Sequence, residues 1–154
     1  MTTVTAMGGV SDLMDLEGVE DTKEKKEEKI NMGLTFQVAA VKKPLLSVKR
    51  ITEKGNRVCF GPGENDNFIE NKDTGDRVKL RENGKGSYLL DVAFTGGKQT
   101  EITVDSGAEE NVCPWEWGEE FRVDRSGKKM VFRGANGAWI NHFGERKVFV
   151  YSPF

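Results

Sequence analysis

The apolar residues of this chain occur in short runs that are separated by turn-forming residues. Several runs alternate apolar with polar side chains, as Leu34-Thr35-Phe36-Gln37-Val38 and Ile102-Thr103-Val104 do. Such alternation is typical of strands with one buried face. Turn signals such as Asn83-Gly84 and Asn136-Gly137 lie between the runs. This pattern predicts a small, mainly β domain.

One stretch departs from the two-residue period. Between Leu45 and Gly55, the residues Leu46, Arg50 and Ile51 fall at helical spacing. Glycine commonly ends a helix because it adopts a left-handed conformation at no steric cost. We therefore expect one short helix of about two turns that ends at Gly55.

Residues 1–31 differ in composition from the rest of the chain. The segment 21–29 is almost entirely charged, and the residues before it are small or polar with few large apolar side chains. A segment of this kind cannot bury enough apolar surface to offset the entropy lost on ordering. We expect a disordered, charged leader or linker over residues 1–31 and a folded domain over residues 32–154.

The length and charge of the chain restrict its function class. Its 154 residues suffice for one domain with a tail. With 23 Lys and Arg against 25 Asp and Glu, the net charge is −2, so there is no electrostatic reason to expect nucleic acid or a membrane surface as a partner. No apolar run approaches the roughly 20 residues that span a bilayer, and we expect a soluble, intracellular protein.

The thiols and the imidazole limit the available chemistry. Cys59 and Cys113 lie in different segments without metal-type spacing, and they are expected to be free thiols in a reducing compartment. His142 is the only histidine, so a Ser-His or Cys-His catalytic pair or a histidine-rich zinc site has little to draw on. We read His142 as an ordinary strand or turn residue and expect no metal and no cofactor.

A carboxylate follows directly after the apolar strand 102–104. Asp105 is succeeded by Ser106, Gly107 and Ala108. Removing a carboxylate from water is costly, so a strand that leads apolar residues up to an aspartate commonly has a use for its charge. A serine hydroxyl can hydrogen-bond a carboxylate, and glycine allows a backbone or a substrate to approach closely.

Asp-Ser-Gly-Ala after an apolar strand resembles the active-site turn of the retropepsin-like aspartic proteases. That family also has a glycine-bearing β-hairpin, the flap, downstream of the turn, and Gly134, Ala135, Asn136 and Gly137 stand where the flap would be. A third family element is an apolar stretch that enters a short helix packed behind the catalytic loop. The run Leu45, Leu46, Ser47, together with residues 54–60, resembles this element in copia-like retrotransposon proteases.

The order of these elements is permuted relative to the family. Residues 32–94 resemble the second half of a retropepsin-like lobe, and residues 98–154 resemble its first half. The chain thus resembles a circularly permuted lobe, or a window cut across two units of a tandem array. The resemblance implies a small, closed β-barrel-like lobe with one short helix and a hairpin flap. Gly96-Gly97 would join the family's old termini, which permutation tolerates where the termini lie close together.

The resemblance also implies a chemistry and its partners. Asp105 would be the single catalytic residue of each chain, and a homodimer, with or without exchange of the two halves, would bring two aspartates about 3 Å apart. Such a pair shares one proton; one member activates a water and the other donates to the peptide carbonyl oxygen. Ser106, Gly107 and Ala108 would support the pair, and residues 134–137 would close over a peptide or polyprotein substrate.

Two other interpretations of the function remain open at this stage. The chain fits a catalytically inactive member of the same fold that binds peptides or acts as a scaffold. Asp73-Thr74-Gly75 repeats the family triplet, but its neighbours are polar, and we expect a hairpin turn there. Trp115, Trp117 and Trp139 could form a stacking platform for a sugar or nucleotide in a β-sandwich module, or they could belong to the core.

Overall fold

The structure, a computed structural model, describes residues 29–134 and 136–152. Over these residues the chain is mainly β with one short α-helix, which confirms the predicted class; the closed barrel of a retropepsin-like lobe stays a prediction. The strands are β1 (Ile30–Ala39), β2 (Leu45–Ser47), β3 (Asn56–Cys59), β4 (Phe68–Asn71), β5 (Arg77–Lys79), β6 (Arg81–Glu82), β7 (Tyr88–Phe94), β8 (Gln99–Asp105), β9 (Val112–Cys113), β10 (Val123–Asp124), β11 (Phe132–Arg133), β12 (Trp139–Ile140) and β13 (His142–Ser152). The helix α1 covers Val48–Glu53, and Glu64–Asp66 forms a single 3₁₀ turn.

Most strands belong to one large sheet. Its eight strands follow the order β10-β13-β1-β9-β2-β8-β7-β6, and β13 pairs in addition with β7. The strands β3, β4 and β5 form a separate three-stranded antiparallel sheet, and β11 and β12 form a two-stranded hairpin. Among the described residues, no helix has the length and apolar composition needed to span a bilayer.

The large sheet contains strands from both of the segments that were compared with the halves of a retropepsin-like lobe, residues 32–94 and residues 98–154. The longest pairing joins β1 to β13, antiparallel, from Ile30 opposite Ser152 to Ala39 opposite His142. β7 and β8 form a hairpin across Gly96 and Gly97, and β2 runs parallel to β8. Residues 32–94 and 98–154 therefore pair with each other within one chain.

Alternating side chains of these strands supply the core. Buried and less buried side chains alternate over the first part of β1, and its last four residues are all buried. At Gln37 and Val38, β1 pairs with β9 on the edge opposite β13. Trp117 lies against this core, with its ring 4.9 Å from that of Phe36 and 5.0 Å from that of Phe94, and its indole N–H donates to Thr100 Oγ1 at 2.9 Å. The fully buried side chains include Phe36, Val38, Leu46, Leu80, Leu90, Val92, Ile102, Val148 and Val150.

The predicted helix is shorter than its sequence pattern indicated. Leu46 belongs to strand β2, and the helix begins at Val48 with Ser47 as its N-cap. The Ser47 hydroxyl accepts from the Arg50 N–H at 3.2 Å, which satisfies one of the donors that a helix start leaves unpaired. Pairing of Leu46 with Val104 of β8 outweighs its helical spacing, because strand pairing gives backbone groups hydrogen-bond partners in the buried sheet. Gly55, with φ of 88°, follows the helix as predicted.

The folded domain begins earlier than the sequence indicated. Ile30 and Asn31 already pair with Ser152 and Tyr151 on β13, so the boundary set at residue 32 falls inside β1. Residues 1–28, which make up most of the leader predicted over residues 1–31, lie outside the described residues, as do Pro153 and Phe154.

Candidate active site

Asp105 is the last residue of β8, a strand with neighbours on both sides in the large sheet. The chain turns directly after it: the Gly107 N–H donates to Asp105 Oδ1 at 2.8 Å, and the Ala108 N–H donates to the Asp105 carbonyl at 3.4 Å. Asp105 is half-buried, whereas Ser106 and Gly107 are exposed. The predicted catalytic residue thus lies at a strand end, with one carboxylate oxygen held by its own turn.

The predicted packing residues lie directly beside this turn. β2 runs parallel to β8 with Leu45 opposite Thr103, Leu46 opposite Val104 and Ser47 opposite Asp105. Ser47 is fully buried, and its hydroxyl donates to the Ala108 carbonyl at 2.7 Å. One hydroxyl therefore closes the 105–108 turn and also caps α1.

Asn111 is a further anchor of the turn that the sequence analysis did not identify. Its amide oxygen accepts from the Ser47 N–H at 2.8 Å, and its amide nitrogen donates to the Thr35 carbonyl at 3.0 Å. Its own carbonyl accepts from the Gln37 N–H at 2.8 Å. The side chain thereby links β1 and β2 to the segment after Asp105. The signal available in the sequence is a lone amide directly before the apolar pair Val112-Cys113.

The two glutamates after the turn are bound to the helix. Arg50 forms an ion pair with Glu110, and its Nε donates to the Glu109 carbonyl at 3.1 Å. Lys49 contacts the Glu109 carboxylate at 3.2 Å. The hydrogen bond that Arg50 donates to Glu110 raises the pKa of Arg50, and its bond to Glu53 adds to the effect. Within the described residues, Asp105 forms no ion pair. It therefore differs from Glu109 and Glu110, each of which is paired with a basic side chain of the helix.

The geometry leaves Asp105 able to act on a ligand. Among the described residues no hydrogen bond reaches its Oδ2, while Oδ1 is fixed by Gly107. A half-buried carboxylate with one free oxygen can accept a proton or a hydrogen bond from a water or a substrate. The hydrogen bonds around the turn hold it in place, and a group that reacts must be kept in a defined geometry.

The residues predicted to form a flap lie between β11 and β12, which pair as a hairpin; their role as a flap stays a prediction. The Gly134 N–H donates to the Ala138 carbonyl at 2.8 Å, and the Gly137 N–H donates to the Gly134 carbonyl at 2.9 Å. Gly137 has φ of 84°, and the Asn136 side chain accepts from the Ala138 N–H at 2.9 Å. Ala135 lies outside the described residues. No hydrogen bond in the described part of the chain joins this hairpin to the 105–108 turn.

The Asp73-Thr74-Gly75 triplet is a surface turn, as predicted. It connects β4 to β5, where the Asn71 side chain accepts from the Asp73 N–H at 2.8 Å and from the Thr74 N–H at 3.2 Å. Gly75 has φ of 80°. Asp73 is exposed and lies within the turn, two residues after the end of β4, whereas Asp105 is half-buried and is itself the last residue of its strand.

The tryptophans do not form one stacking surface. Trp117 belongs to the core, while the exposed fraction is 39% for Trp115 and 65% for Trp139. Trp139 packs under Arg133 on the hairpin, with the guanidinium 4.1 Å from its ring centre. Trp115 contacts Phe143 instead, at 6.0 Å between ring centres. The platform for a sugar or nucleotide therefore lacks its third member.

Among the described residues, the cysteines and the possible metal ligands offer no competing site. Cys59 and Cys113 are both free. Burial raises the pKa of the Cys113 thiol to about 12, so it is not a thiolate nucleophile at neutral pH. In residues 29–134 and 136–152, no group of His, Cys, Asp and Glu is arranged to hold a metal ion.

Comparison with known proteins identifies no relative of this chain. No family model, no curated protein and no solved structure matches the chain.

Proposed function

We propose that this protein is an aspartic endopeptidase that cleaves peptide bonds with a water activated by an Asp105 pair formed across a homodimer. The observation that carries the proposal is the placement of Asp105. A half-buried carboxylate stands at the end of an apolar strand, Gly107 fixes one of its oxygens, and the buried Ser47 hydroxyl closes its turn. The resemblance of this turn and of the hairpin to retropepsin-like proteases of the copia kind supports the same reaction.

Each chain contributes one such carboxylate, so the reaction needs a second copy. Two aspartates that approach within about 3 Å cannot both ionise and share one proton. The ionised member removes a proton from a water as that water attacks the peptide carbonyl, and the protonated member donates to the carbonyl oxygen. The hairpin of β11 and β12 covers the peptide. We place this activity in a reducing, intracellular compartment, which suits the two free thiols.

The first test replaces Asp105 by asparagine and assays cleavage of a mixed peptide library at about pH 5, within the acidic range in which such a pair shares one proton. Asparagine keeps an oxygen that can accept from the Gly107 N–H but cannot take part in proton transfer. We expect Asp105→Asn to lower the cleavage rate by about 10³-fold or more. Asp73→Asn is the matched control, because it changes the same residue type in the exposed triplet, and it should cleave like the wild type.

The second step of this test asks whether the pair forms across two chains. Wild type and Asp105→Asn protein are mixed in equal amounts and allowed to exchange subunits. If only dimers with two aspartates are active, cleavage falls to about a quarter of the value for the same total amount of wild type. A fall to about half would mean that each chain acts alone. A folded wild type that cleaves nothing at any concentration would contradict the proposal and favour a peptide-binding module of the same fold.

A further inference from the structure

His142 lies at the base of the hairpin, in a chain of hydrogen bonds that the proposed reaction does not use. Its Nδ1 accepts from the Met130 backbone N–H at 3.0 Å, and its Nε2 is 2.8 Å from Gln37 Oε1. The Gln37 amide nitrogen donates to Glu145 Oε2 at 3.0 Å. We refer to Met130, His142, Gln37 and Glu145 together as the His142 latch.

The direction of each bond follows from its two ends. An ionised carboxylate only accepts, so the Gln37 amide must turn its nitrogen to Glu145 and its oxygen to His142. A backbone N–H only donates, so Nδ1 of His142 must carry a lone pair. The Gln37 end requires a proton on Nε2 and the Met130 end requires a lone pair on Nδ1, so the two bonds together require the neutral imidazole with its proton on Nε2. Gln37 is 7% exposed, which leaves its amide little freedom to rearrange.

The latch joins the hairpin to the large sheet. Met130 precedes β11 and His142 follows β12, so their bond closes the base of the hairpin. Phe132 of β11 also packs edge-on against the imidazole, with ring centres 5.5 Å apart. On the other side, Gln37 belongs to β1 in the centre of the fold.

A proton on Nδ1 would break this arrangement. The imidazolium has two N–H donors and no acceptor, so the Met130 N–H would face another N–H. Histidine is the side chain whose charge ordinarily changes between about pH 5 and 8. The charged groups around the latch are Glu145, reached through Gln37, Asp124, which lies opposite Glu145 on β10, and Lys129, next to Met130 in the chain; all three are exposed.

We propose that His142 is a proton-dependent latch that holds the base of the hairpin when its imidazole is neutral and releases it when the imidazole is protonated. The consequence for catalysis rests on the proposed function: a hairpin released when His142 is protonated would admit a peptide to the Asp105 pair. The latch itself makes no use of Asp105 and is tested without any cleavage assay.

The direct test is ¹⁵N NMR of the untagged protein, in which His142 gives the only imidazole signals. At pH 8 we expect ring nitrogen shifts of a neutral imidazole protonated at Nε2. On acidification, the Met130 amide signal should move with the same midpoint as the ring and toward the position of an amide without an acceptor. A ring protonated at Nδ1 at pH 8, or a Met130 amide that does not respond while the ring titrates, would overturn the proposal.

A variant separates the latch from general acid destabilisation. In His142→Asn, the amide oxygen takes the place of Nδ1 as an acceptor and does not titrate. Hydrogen exchange at Met130, corrected for its intrinsic pH dependence, should lose about tenfold protection in the wild type as His142 protonates, the size expected for one lost hydrogen bond. Protection should stay constant in His142→Asn, and Leu90 in β7 should stay protected in both. Equal pH dependence in the two proteins would contradict the latch.

The same spectra can be recorded on Asp105→Asn protein. A wild type that cleaves nothing but has a working latch would reject only the proposed function, and a wild type that cleaves peptides but shows no pH-dependent exchange at Met130 would reject only the latch.

Discussion

The candidate site is held in position largely by single side chains that form hydrogen bonds to two elements at once. Ser47 donates to the Ala108 carbonyl and accepts from the Arg50 N–H, while Asn111 binds both Ser47 and β1. Because Ser47 is fully buried, no water can replace its hydroxyl when the hydroxyl is removed. The position of Asp105 therefore depends on residues that have no chemical role of their own.

We expect Ser47→Ala to destabilise the protein by about 1–3 kcal/mol, since it leaves the Ala108 carbonyl and the helix start without a partner. Urea unfolding measures this difference. Thr52→Ala is the matched control: it also removes a hydroxyl that bonds a backbone carbonyl, that of Lys49, but at an exposed position. An equal loss in the free energy of unfolding for both variants would show that burial does not make the Ser47 hydrogen bond more important than an exposed one.

Glu70 makes the stability depend on pH. Its side chain lies between Arg57 and Arg77, each of which donates from Nε at 3.0 Å. The hydrogen bonds from Arg57 and then from Arg77 lower the pKa of Glu70 from its ordinary value of 4.5. A lowered pKa in the folded state stabilises the protein above the unfolded value, and this contribution is lost as pH falls through the folded value.

Glu70→Gln should accordingly be less stable than wild type at pH 7, and the difference should shrink as the wild-type carboxylate becomes protonated below about pH 4.5. Unfolding experiments across this range measure it. Glu82→Gln on the exposed strand β6 serves as the control, because no ion pair involves Glu82 in the described residues. A difference for Glu70→Gln that stays constant down to pH 3 would contradict the linkage.

Among the secondary-structure elements, the longest pairing contains one irregularity. The register of β1 and β13 shifts between Val38 and Ala39, opposite Gly144 and His142. Gly144 has φ of 144°, and a Cβ there would lie 2.7 Å from both the Asp124 carbonyl oxygen and Val123 Cγ1. β10 can pair with β13 at this point only because Gly144 has no side chain.

Gly144→Ala should therefore cost about 1–3 kcal/mol and weaken the pairing of β10 with β13. Thermal unfolding gives the stability, and amide exchange at Val123 reports on the pairing. Gly96→Ala is the control, because a Cβ at Gly96 would have nothing within 4 Å. An unchanged melting temperature for Gly144→Ala would mean that β10 can shift without loss.

At the scale of the whole molecule, stability rests on a core that is shared by segments distant in sequence. Phe36 of β1 is fully buried and contacts Trp117, and the core continues through Ile102 of β8 and Val148 of β13. The segments 32–94 and 98–152 both contribute residues to this one core. We therefore expect the described domain to unfold as one cooperative unit.

Phe36→Ala should lower the free energy of unfolding by about 3–5 kcal/mol, the cost of a cavity at a fully packed phenylalanine. Phe149→Ala, at a position that is 45% exposed, should cost about 1 kcal/mol because half of that side chain is already hydrated. Denaturant unfolding followed by two probes tests both the size of the loss and the single transition. Separate transitions for the two segments would contradict a shared core.

Local patterns alone determined many features of this protein. Alternation located most of the long strands, the glycines marked the turns around residues 75, 84 and 137, and the polar flanks of Asp73 distinguished its surface turn from the strand end at Asp105. These features were predictable because they depend on side-chain period and backbone conformation, which are properties of neighbouring residues.

Only the tertiary structure decided which segments meet. The assignment of Leu46 to a strand, the extension of β1 to Ile30, the bridging role of Asn111 and the place of His142 in a hydrogen-bonded latch all depend on partners far away in sequence. The free energy of a parallel strand pair or of a buried amide comes from the group on the other side, and that group is not encoded near the residue itself. The residues around position 105 therefore suggested a reactive carboxylate, but the fold supplied the contacts that hold it.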